Sequence, residues 1–449
     1  MTPPTKISSE DHQTEVVPPE ATLGSAFLSR DFRLYQTARL LVILGAEAQA
    51  LAVAWQVYQI THSALDLGLT GLALFAPGLF FMLAAGHVAD RYDRRHIILL
   101  CYALQTLCTL VLLRFALHPT AHIWPIYAVL FVMGLGRAFS GPAASALLPS
   151  LVPQHHFVNA VTWGAIIFQT ASIAGPAVGG LLFTLRFNGA VARFNGAAVV
   201  YIFTLLSLVA FLLLVGAMKT RPARIVKNAF NLETMLAGFK YVWHAKLLLG
   251  SISLDLFAVL LGGATALLPI FATDILHAGP RGLGLLRAMP AVGALGTSLL
   301  MTVRPIERRA GRTMLICVAI FGATTVLFGL SRNIWLSAVV LFIVGASDMV
   351  SVVIRGSILQ LGTPPEMRGR VSAVNWLFVG ASNEFGEFES GVTAHWWGAV
   401  RAVVIGGVGS LIVTGLATVL FPALRNADQL TSESLMAANQ QQSIPRKEQ

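Results

Sequence analysis

The stretch Gly86-His87-Val88-Ala89-Asp90-Arg91-Tyr92-Asp93-Arg94-Arg95 stands at the junction of two long apolar runs, Leu67 to Ala89 and His96 to Ala116. A glycine at the end of the first run permits close helix approach, and the aspartate after it sits beside several cations. An aspartate so placed can meet a neighbouring helix end or an arginine in one conformation and lose that contact in another. Gly86, Asp90, Arg91, Arg94 and Arg95 therefore form a candidate gating latch. Charge alone also fits a plain basic loop between two membrane helices, which is a topology signal. Both readings require the flanking runs to cross a membrane, and the rest of the chain bears on that.

Of the 449 residues 55% are hydrophobic and only 12% are charged, with a mean hydropathy of +0.71. A soluble domain of this length needs far more charge to cover its surface, so most of the chain is expected to meet lipid. Runs long enough to cross a hydrocarbon core, roughly 20 residues, extend outward from the opening stretch. They are Phe32 to Tyr58, Leu67 to Ala89, His96 to Ala116, Trp124 to Ser145, Asn159 to Leu185 and Ala197 to Met218. After a polar stretch they resume as Leu247 to Ile275, Gly282 to Val303, Thr313 to Ser331, Ile334 to Ile354, Arg370 to Trp396 and Ala402 to Phe421. Arg370 to Trp396 is the most polar of these twelve.

The net charge of +10 could suggest a nucleic-acid partner, but the Lys and Arg residues sit in short loops between apolar runs. With the N-terminus in the cytoplasm, about 22 of the 31 Lys and Arg residues fall on the cytoplasmic side and about six outside. Both termini then face the cytoplasm. The sequence divides into a polar tail at 1–29, a six-helix half at 30–218, a linker at 219–246, a second six-helix half at 247–422 and a polar tail at 423–449. Both tails are expected to be mobile. Within the linker, Leu232, Met235, Leu236, Phe239 and Val242 share one face of an amphipathic helix with Asn231 as N-cap, expected to lie on the inner membrane surface. The loops DRYDRR and RPIERRAGR follow the second and eighth spans, and this correspondence hints at an internal repeat of six helices.

Ionisable residues inside a span cost a few kcal/mol when they face lipid, so each is expected to face a cavity or a partner. Glu47 lies near the middle of the first span and Arg137 deep in the fourth. They form a candidate proton-coupling pair, in which protonation of Glu47 releases Arg137; a permanent ion pair that only joins helices fits equally. In the eleventh span Glu384 and Glu387 lie on one helical face with Asn383 at its border, and Glu389 points nearly opposite. Two carboxylates on one stripe repel when both are ionised, which favours a bound proton or a cationic substrate. Contacts to Arg355, Arg401 or headgroups are the plainer alternative. Asp255 in the seventh span and Asp348 in the tenth are further candidates, with Arg355 a possible partner for Asp348. No Walker-type phosphate loop, nucleophile elbow or Cys/His cluster of ligand spacing occurs, so neither an enzyme, a cofactor nor a metal site is expected.

Three motifs resemble the major facilitator superfamily. The first is the opening stretch, in which Asp93 stands where that family usually has glycine. The second, Arg137-Ala138-Phe139-Ser140-Gly141, matches the family's buried R-x-x-x-G. The third is Gly164 followed by Gly175-Pro176-Ala177-Val178-Gly179-Gly180, which matches its antiporter signature. ADRYDRRHIILL, LLAGFKYVW and LQLGTPPEMRGRVSAVN are similar to the enterobactin-exporter-like branch over about Phe32 to Phe421. The resemblance implies an all-α major facilitator fold of twelve transmembrane helices in two pseudo-symmetric halves. It also implies proton-driven export of a siderophore, drug or other small amphiphile; nothing in the sequence indicates an obligate oligomer, and a monomer is expected. A facilitator or importer of the same architecture, and a non-transporting sensor or scaffold, are the alternatives.

Overall fold

The computed structural model describes residues 25–118, 122–153, 156–185, 187–188, 193–219, 232–304, 306 and 308–428. Twelve long helical segments occupy them: α1 Arg30–Thr61, α2 Ala64–Arg91, α3 Arg94–Leu117, α4 Trp124–Leu147, α5 Phe157–Phe183, α6 Gly196–Gly216, α7 Lys246–Gly262 with its continuation to Ile275, α8 Gly279–Val303, α9 Ala310–Leu330, α10 Ile334–Leu361, α11 Pro365–Trp397 and α12 Ala399–Leu420. Short loops punctuate them with polar caps. Ser63 accepts from the Asp66 N–H at 3.3 Å, Asn195 from Ala198 at 2.9 Å and Asn333 from Trp335 at 2.8 Å, each satisfying an amide that the first helical turn leaves unpaired. Residues Phe187–Asn188 and Arg193–Phe194 make a minimal antiparallel ladder between α5 and α6.

Eleven of the twelve segments are long and apolar enough to cross a membrane. The exception is α11, whose 33 residues are ample in length but carry the polar cluster around Glu384. Helices α1 to α6 pack among themselves, as do α7 to α12; α2 lies on α11 and α5 on α8 between the two sets. The bundle thus has an end carrying Arg91, Arg94, Arg95, Arg308 and Arg309, here termed the basic end, and a far end at residues 62–63 and 276–278.

The buried core is organised differently at the two ends. Near the far end one cluster runs across both sets, joining Leu51, Val57 and Tyr201 to Leu267, Phe271, Leu283 and Phe328. Toward the basic end it splits into two clusters. One is confined to residues between Ala26 and Met218, and the other to residues between Val242 and Leu424. The sets are sealed together at the far end and part toward the basic end.

Glycines set the seal. A Cβ at Gly391 of α11 would lie 2.8 Å from the Ala64 carbonyl and 2.9 Å from the Gly68 Cα of α2. A Cβ at Gly284 of α8 would lie 2.8 Å from the Pro176 carbonyl of α5, and one at Gly180 would lie 2.9 Å from the Gly284 Cα. Backbones approach this closely only where side chains are missing. Polar links add to the contact: the Tyr58 hydroxyl donates to Asp274, and Arg281 Nε donates to Thr184 Oγ1 at 3.3 Å.

Two segments that the sequence assigns to mobile tails are folded. Residues 25–29 are tied down by the Ala26 N–H, which donates to Asn159 at 3.2 Å, and by Phe27, which packs edge-on against Trp163. At the other terminus, Pro422–Arg425 is a helical turn. The Arg309 N–H donates to Asp428 at 3.0 Å, so the segment through Asp428 caps the start of α9. The linker helix Leu232–His244 docks on α11. Phe239 stacks on Phe378 with ring centroids 5.9 Å apart, Val242 is buried, and a Cβ at Gly238 would meet the Arg370 carbonyl at 2.9 Å. Asn231 and the side chains of Leu232, Met235 and Leu236 lie outside what the structure describes.

Candidate functional site

Between the two sets lies a cavity of about 250 Å³, walled by α1, α2, α3, α4 and α6 on one side and α7, α8 and α11 on the other. Its charged walls are Glu47, Arg137, Arg287, Glu384 and Glu387, with Gln49, Gln105, Thr109 and Thr265 as neutral polar groups. The fields of Arg137 and Arg287 act on Glu384, and those of Arg287 and Glu47 on Glu387. The cavity gathers these charges because each lies one face away from the lipid on its own helix, where water or a partner replaces the hydration that lipid withholds.

Local packing positions each group. Glu47 is set by the glycine-rich part of α5: a Cβ at Gly175 would come within 3.3 Å of Glu47 Cγ, and one at Gly179 within 2.8 Å of the Ala48 Cα. Gly164, lower on the same helix, makes room for Arg39, whose Nη1 would lie 2.9 Å from an added Cβ. The antiporter-type motif therefore does two things. Gly164, Gly175 and Gly179 seat α1 on α5, while Pro176 and Gly180 form the crossing with α8. On the other wall, Gly71 of α2 leaves space for Glu384 and Glu387, with Glu384 Oε2 3.3 Å from where its Cβ would be.

Glu47 and Arg137 share this cavity without forming the expected pair. The ion pairs among the described residues are Arg30–Asp31, His96–Asp93 and Arg355–Asp255. Glu47 and Arg137 instead line the cavity separately, together with Glu384 and Glu387. Asp348, seven residues from Arg355 and so about two helical turns away, does not pair with it among the described residues. Arg355 binds Asp255 across α10 and α7, both almost fully buried, at 4% and 5% exposure. That pair removes Asp255 from the central cavity wall and Arg355 from contact with the α11 glutamates. Glu389 lines neither the central cavity nor the second space that Asn383 and Asp348 line.

Two wall features escaped the sequence reading. Arg287 lies inside the apolar run of α8, and its charge within a span was the signal that could have found it. The second is a break in α7 at Gly262–Gly263. There a Cβ at Gly263 would lie 3.2 Å from the Gly386 carbonyl carbon, and Ser390 Oγ donates to the Gly263 carbonyl at 3.0 Å. The interruption turns the backbone toward the cavity and presents Thr265, whose hydroxyl donates to Glu387 at 3.4 Å. Irregular backbone inside a membrane is tolerated where it borders such a cavity.

The latch residues are resolved except for the Asp90 side chain, which lies outside what the structure describes. Arg94 Nη1 donates to the Ala146 carbonyl at 2.7 Å, at the end of α4, and Arg95 Nη2 to the Gly216 carbonyl at the end of α6. Both cations satisfy carbonyls that the last helical turn leaves free. Arg91 is exposed, and Gly86 is partly buried near the end of α2. Asp93, in the place of the usual glycine, caps α3 by accepting from the Arg95 N–H at 2.9 Å and holds His96 Nδ1 at 2.9 Å. Removing that cap with Asp93→Ala is expected to cost about 1 kcal/mol of stability, whereas Asp93→Gly costs only a few tenths. Thermal unfolding of the two purified variants against the parent checks this, and equal losses would contradict the capping role.

Comparison with known proteins agrees with this arrangement. The family model described as transmembrane secretion effector matches residues 23–446. The enterobactin exporter EntS of Shigella boydii serotype 18 is 27% identical over 385 residues, covering 85% of this chain and 86% of that one. The enterobactin exporter EntS of Escherichia coli O1:K1 is 27% identical over 389 residues, with the same coverage. Among solved structures, a bacterial homologue of the human lysosomal transporter Spinster, inward-facing and occupied, superposes with a TM-score of 0.68 at 14% identity, covering 87% of this chain and 96% of that one. A bacterial homologue of the iron transporter ferroportin, inward-facing, gives 0.65 at 15% identity, with coverages of 88% and 99%. At these identities the structures establish the fold, and the family match extends over nearly the whole chain. A charged cavity between two packed helix sets, eleven apolar spans and that match together make this chain a multi-pass bacterial inner-membrane transporter of the major facilitator superfamily, belonging to its transmembrane secretion effector family.

Proposed function

We propose that the protein exports small organic amphiphiles in exchange for protons, with residues 30–218 and 247–422 rocking as two halves about the central cavity. The observation that carries this reading is the cavity itself. It holds three carboxylates and two guanidinium groups at the boundary between the sets, and it is shut at one end by glycine-mediated crossings. The positive-inside bias places the basic end and both termini in the cytoplasm, so this conformation corresponds to the inward-open one. The 219–246 linker then joins the halves on the cytoplasmic side. One chain supplies every wall of the cavity, which supports a monomeric working unit.

In the inward-open state a cavity carboxylate releases its proton toward the cytoplasm, and substrate enters the charged space. After the halves rock, substrate leaves outward and the carboxylate takes up an outside proton, which resets the cycle. Glu47 is the group we assign to coupling, because it sits on α1 against the α5 glycines and lines the cavity with Glu387 of the opposite half. The test is transport in proteoliposomes under an imposed pH gradient. Substrate movement against its own gradient, lost in Glu47→Gln while gradient-free counterflow survives, is the expected result. Transport indifferent to the pH gradient would favour a facilitator. Proton-driven transport persisting in Glu47→Gln would remove that residue from the coupling role. The names of the enterobactin-exporting relatives support a siderophore-like substrate as the first compound to try.

A further inference from the structure

The loop between α8 and α9 and the turn after α12 form one corner of the basic end. Arg304 closes α8, its N–H donating to the Leu300 carbonyl at 2.8 Å. Arg308, Arg309 and Arg312 follow, with Arg309 in the left-handed region at φ 56°. The turn Pro422–Arg425 is fastened to the same place. The Gly311 N–H donates to the Ala427 carbonyl at 3.0 Å, and a Cβ at Gly311 would collide with the Leu424 carbonyl, so Arg425 is brought beside the loop. All five arginines are exposed, and their guanidinium groups make no hydrogen bond or ion pair among the described residues. Two acids, Glu307 and Asp428, accompany them in sequence. Asp428 gives a carboxylate oxygen to the Arg309 backbone N–H at 3.0 Å.

The corresponding loop of the other set uses its cations differently. Arg94 and Arg95 donate to the Ala146 and Gly216 carbonyls, and Asp93 caps α3, so the charge there serves helix ends. At the α8–α9 corner the charge is left facing outward, beside an apolar flank. Leu299, Leu300 and Val303 on α8 and Ile316 on α9 are all exposed. Arg312 and Ile316 are one helical turn apart, about 6 Å along the axis. Apolar side chains exposed on a membrane helix lie against acyl chains, so the arginines a turn beyond them lie at the level of the headgroups. A guanidinium presents paired N–H donors that match two phosphate oxygens, and several around one phosphodiester hold it as a single surface cation does not. A free anion would use the arginines alone. The apolar flank beneath them fits a phosphate that carries acyl chains. We propose that this corner is a binding site for an anionic phospholipid, with its phosphate held by the α8–α9 arginines and its acyl chains laid along α8 and α9. Because α8 also carries Arg287, the bound lipid anchors one wall of the central cavity to the membrane surface. The inference is independent of what the protein transports.

The test is native mass spectrometry of the purified full-length protein, titrated in detergent with phosphatidylglycerol or phosphatidylcholine of identical acyl chains. Phosphatidylglycerol is expected to bind at least about tenfold more tightly. Arg308→Gln with Arg312→Gln is expected to weaken its binding about tenfold or more and to leave phosphatidylcholine binding unchanged. Arg332→Gln with Arg401→Gln removes the same charge from exposed positions at the far end and is expected to bind phosphatidylglycerol as the parent does. Melting profiles confirm that each variant is folded. Equal binding of the two lipids, or full phosphatidylglycerol binding in the Arg308/Arg312 variant, would overturn the proposal. An equal loss in the far-end variant would also overturn it, by reducing the preference to net charge. Inorganic phosphate displacing phosphatidylglycerol at the same concentration would make this a free-anion site and discard the lipid.

Discussion

Asp255→Ala is expected to destabilise the protein by about 3–5 kcal/mol, because it strands Arg355 inside the α7–α12 set. Arg355 is 4% exposed, and its guanidinium has Asp255 as its ionic partner among the described residues, so removing the carboxylate leaves a buried charge without compensation. The pair joins α7 just before its break to the basic-end half of α10, so its loss is expected to loosen the packing around the second space that Asn383 and Asp348 line. Replacing both partners with apolar residues of similar size, as in Asp255→Leu with Arg355→Met, is expected to recover most of the loss, since neither charge must then be desolvated. Unfolding of the purified variants, followed by tryptophan fluorescence, distinguishes these cases. A double variant as unstable as Asp255→Ala would show that the apolar pair packs no better and that charge is not the deciding factor.

Gly391→Leu is expected to abolish most transport by forcing apart the seal at the far end. Its Cβ would begin 2.8 Å from the Ala64 carbonyl and 2.9 Å from the Gly68 Cα, backbone atoms that cannot step aside one at a time. Overpacking of this kind costs about 1–3 kcal/mol and falls only on the conformation in which α2 and α11 touch. A bias of that size shifts a two-state population by about 5- to 150-fold toward the state open at the far end. The substitution sits within a helix, where leucine is the better helix former, so local helicity does not suffer. Gly415→Leu on α12, where a Cβ meets nothing within 4 Å, is the matched control and is expected to transport normally. The readout is the reactivity of a cysteine at Ala266, on the central cavity wall, with a membrane-impermeant maleimide added from the far side. Cys101, Cys108 and Cys317 are replaced beforehand. Unchanged labelling in Gly391→Leu would show that this crossing does not hold the far end shut.

These expectations divide along a line that also separates what the residues reveal from what only packing reveals. Long apolar runs suffice to place the helices, since roughly 20 such residues have few alternatives to crossing a bilayer. Even α11, the least apolar of them, is a continuous helix, because Glu384 and Glu387 turn into a cavity while Gly386 and Gly391 press on α7 and α2. Helical spacing was enough to put those glutamates on one face. Partners across helices were another matter. Arg355 lies seven residues from Asp348 on its own helix, yet it binds a residue a hundred positions away, because relative helix rotation decides which charges meet. Glu47 and Arg137 likewise reach one cavity wall with Glu384 and Glu387 without forming an ion pair with each other.

The glycine motif of α5 shows the gain from combining both kinds of information. Its spacing announces close packing, but only the structure separates Gly164, Gly175 and Gly179, which seat α1, from Gly180, which meets α8. Asp93 offers a smaller example: its departure from glycine is explained by a helix cap, a local role that needs no gating function. The break in α7 leaves little trace in sequence beyond two adjacent glycines, since a Gly-Gly pair is compatible with a regular helix. It becomes meaningful only with Gly386 and Ser390 packed against it.

Opposed motion of the two ends of the bundle is the most direct consequence of two halves rocking about one charged cavity. Double electron–electron resonance in lipid nanodiscs measures it with spin labels at Ser145 and Gln360 for the basic end and at His62 and His395 for the far end, all exposed positions. On adding a transported substrate or changing pH, the distribution between Ser145 and Gln360 is expected to gain a shorter component. The distribution between His62 and His395 is expected to gain a longer one under the same conditions. Distances that stay fixed at both ends, or that lengthen together, would contradict the rocking of the halves and with it the transport mechanism proposed for this chain.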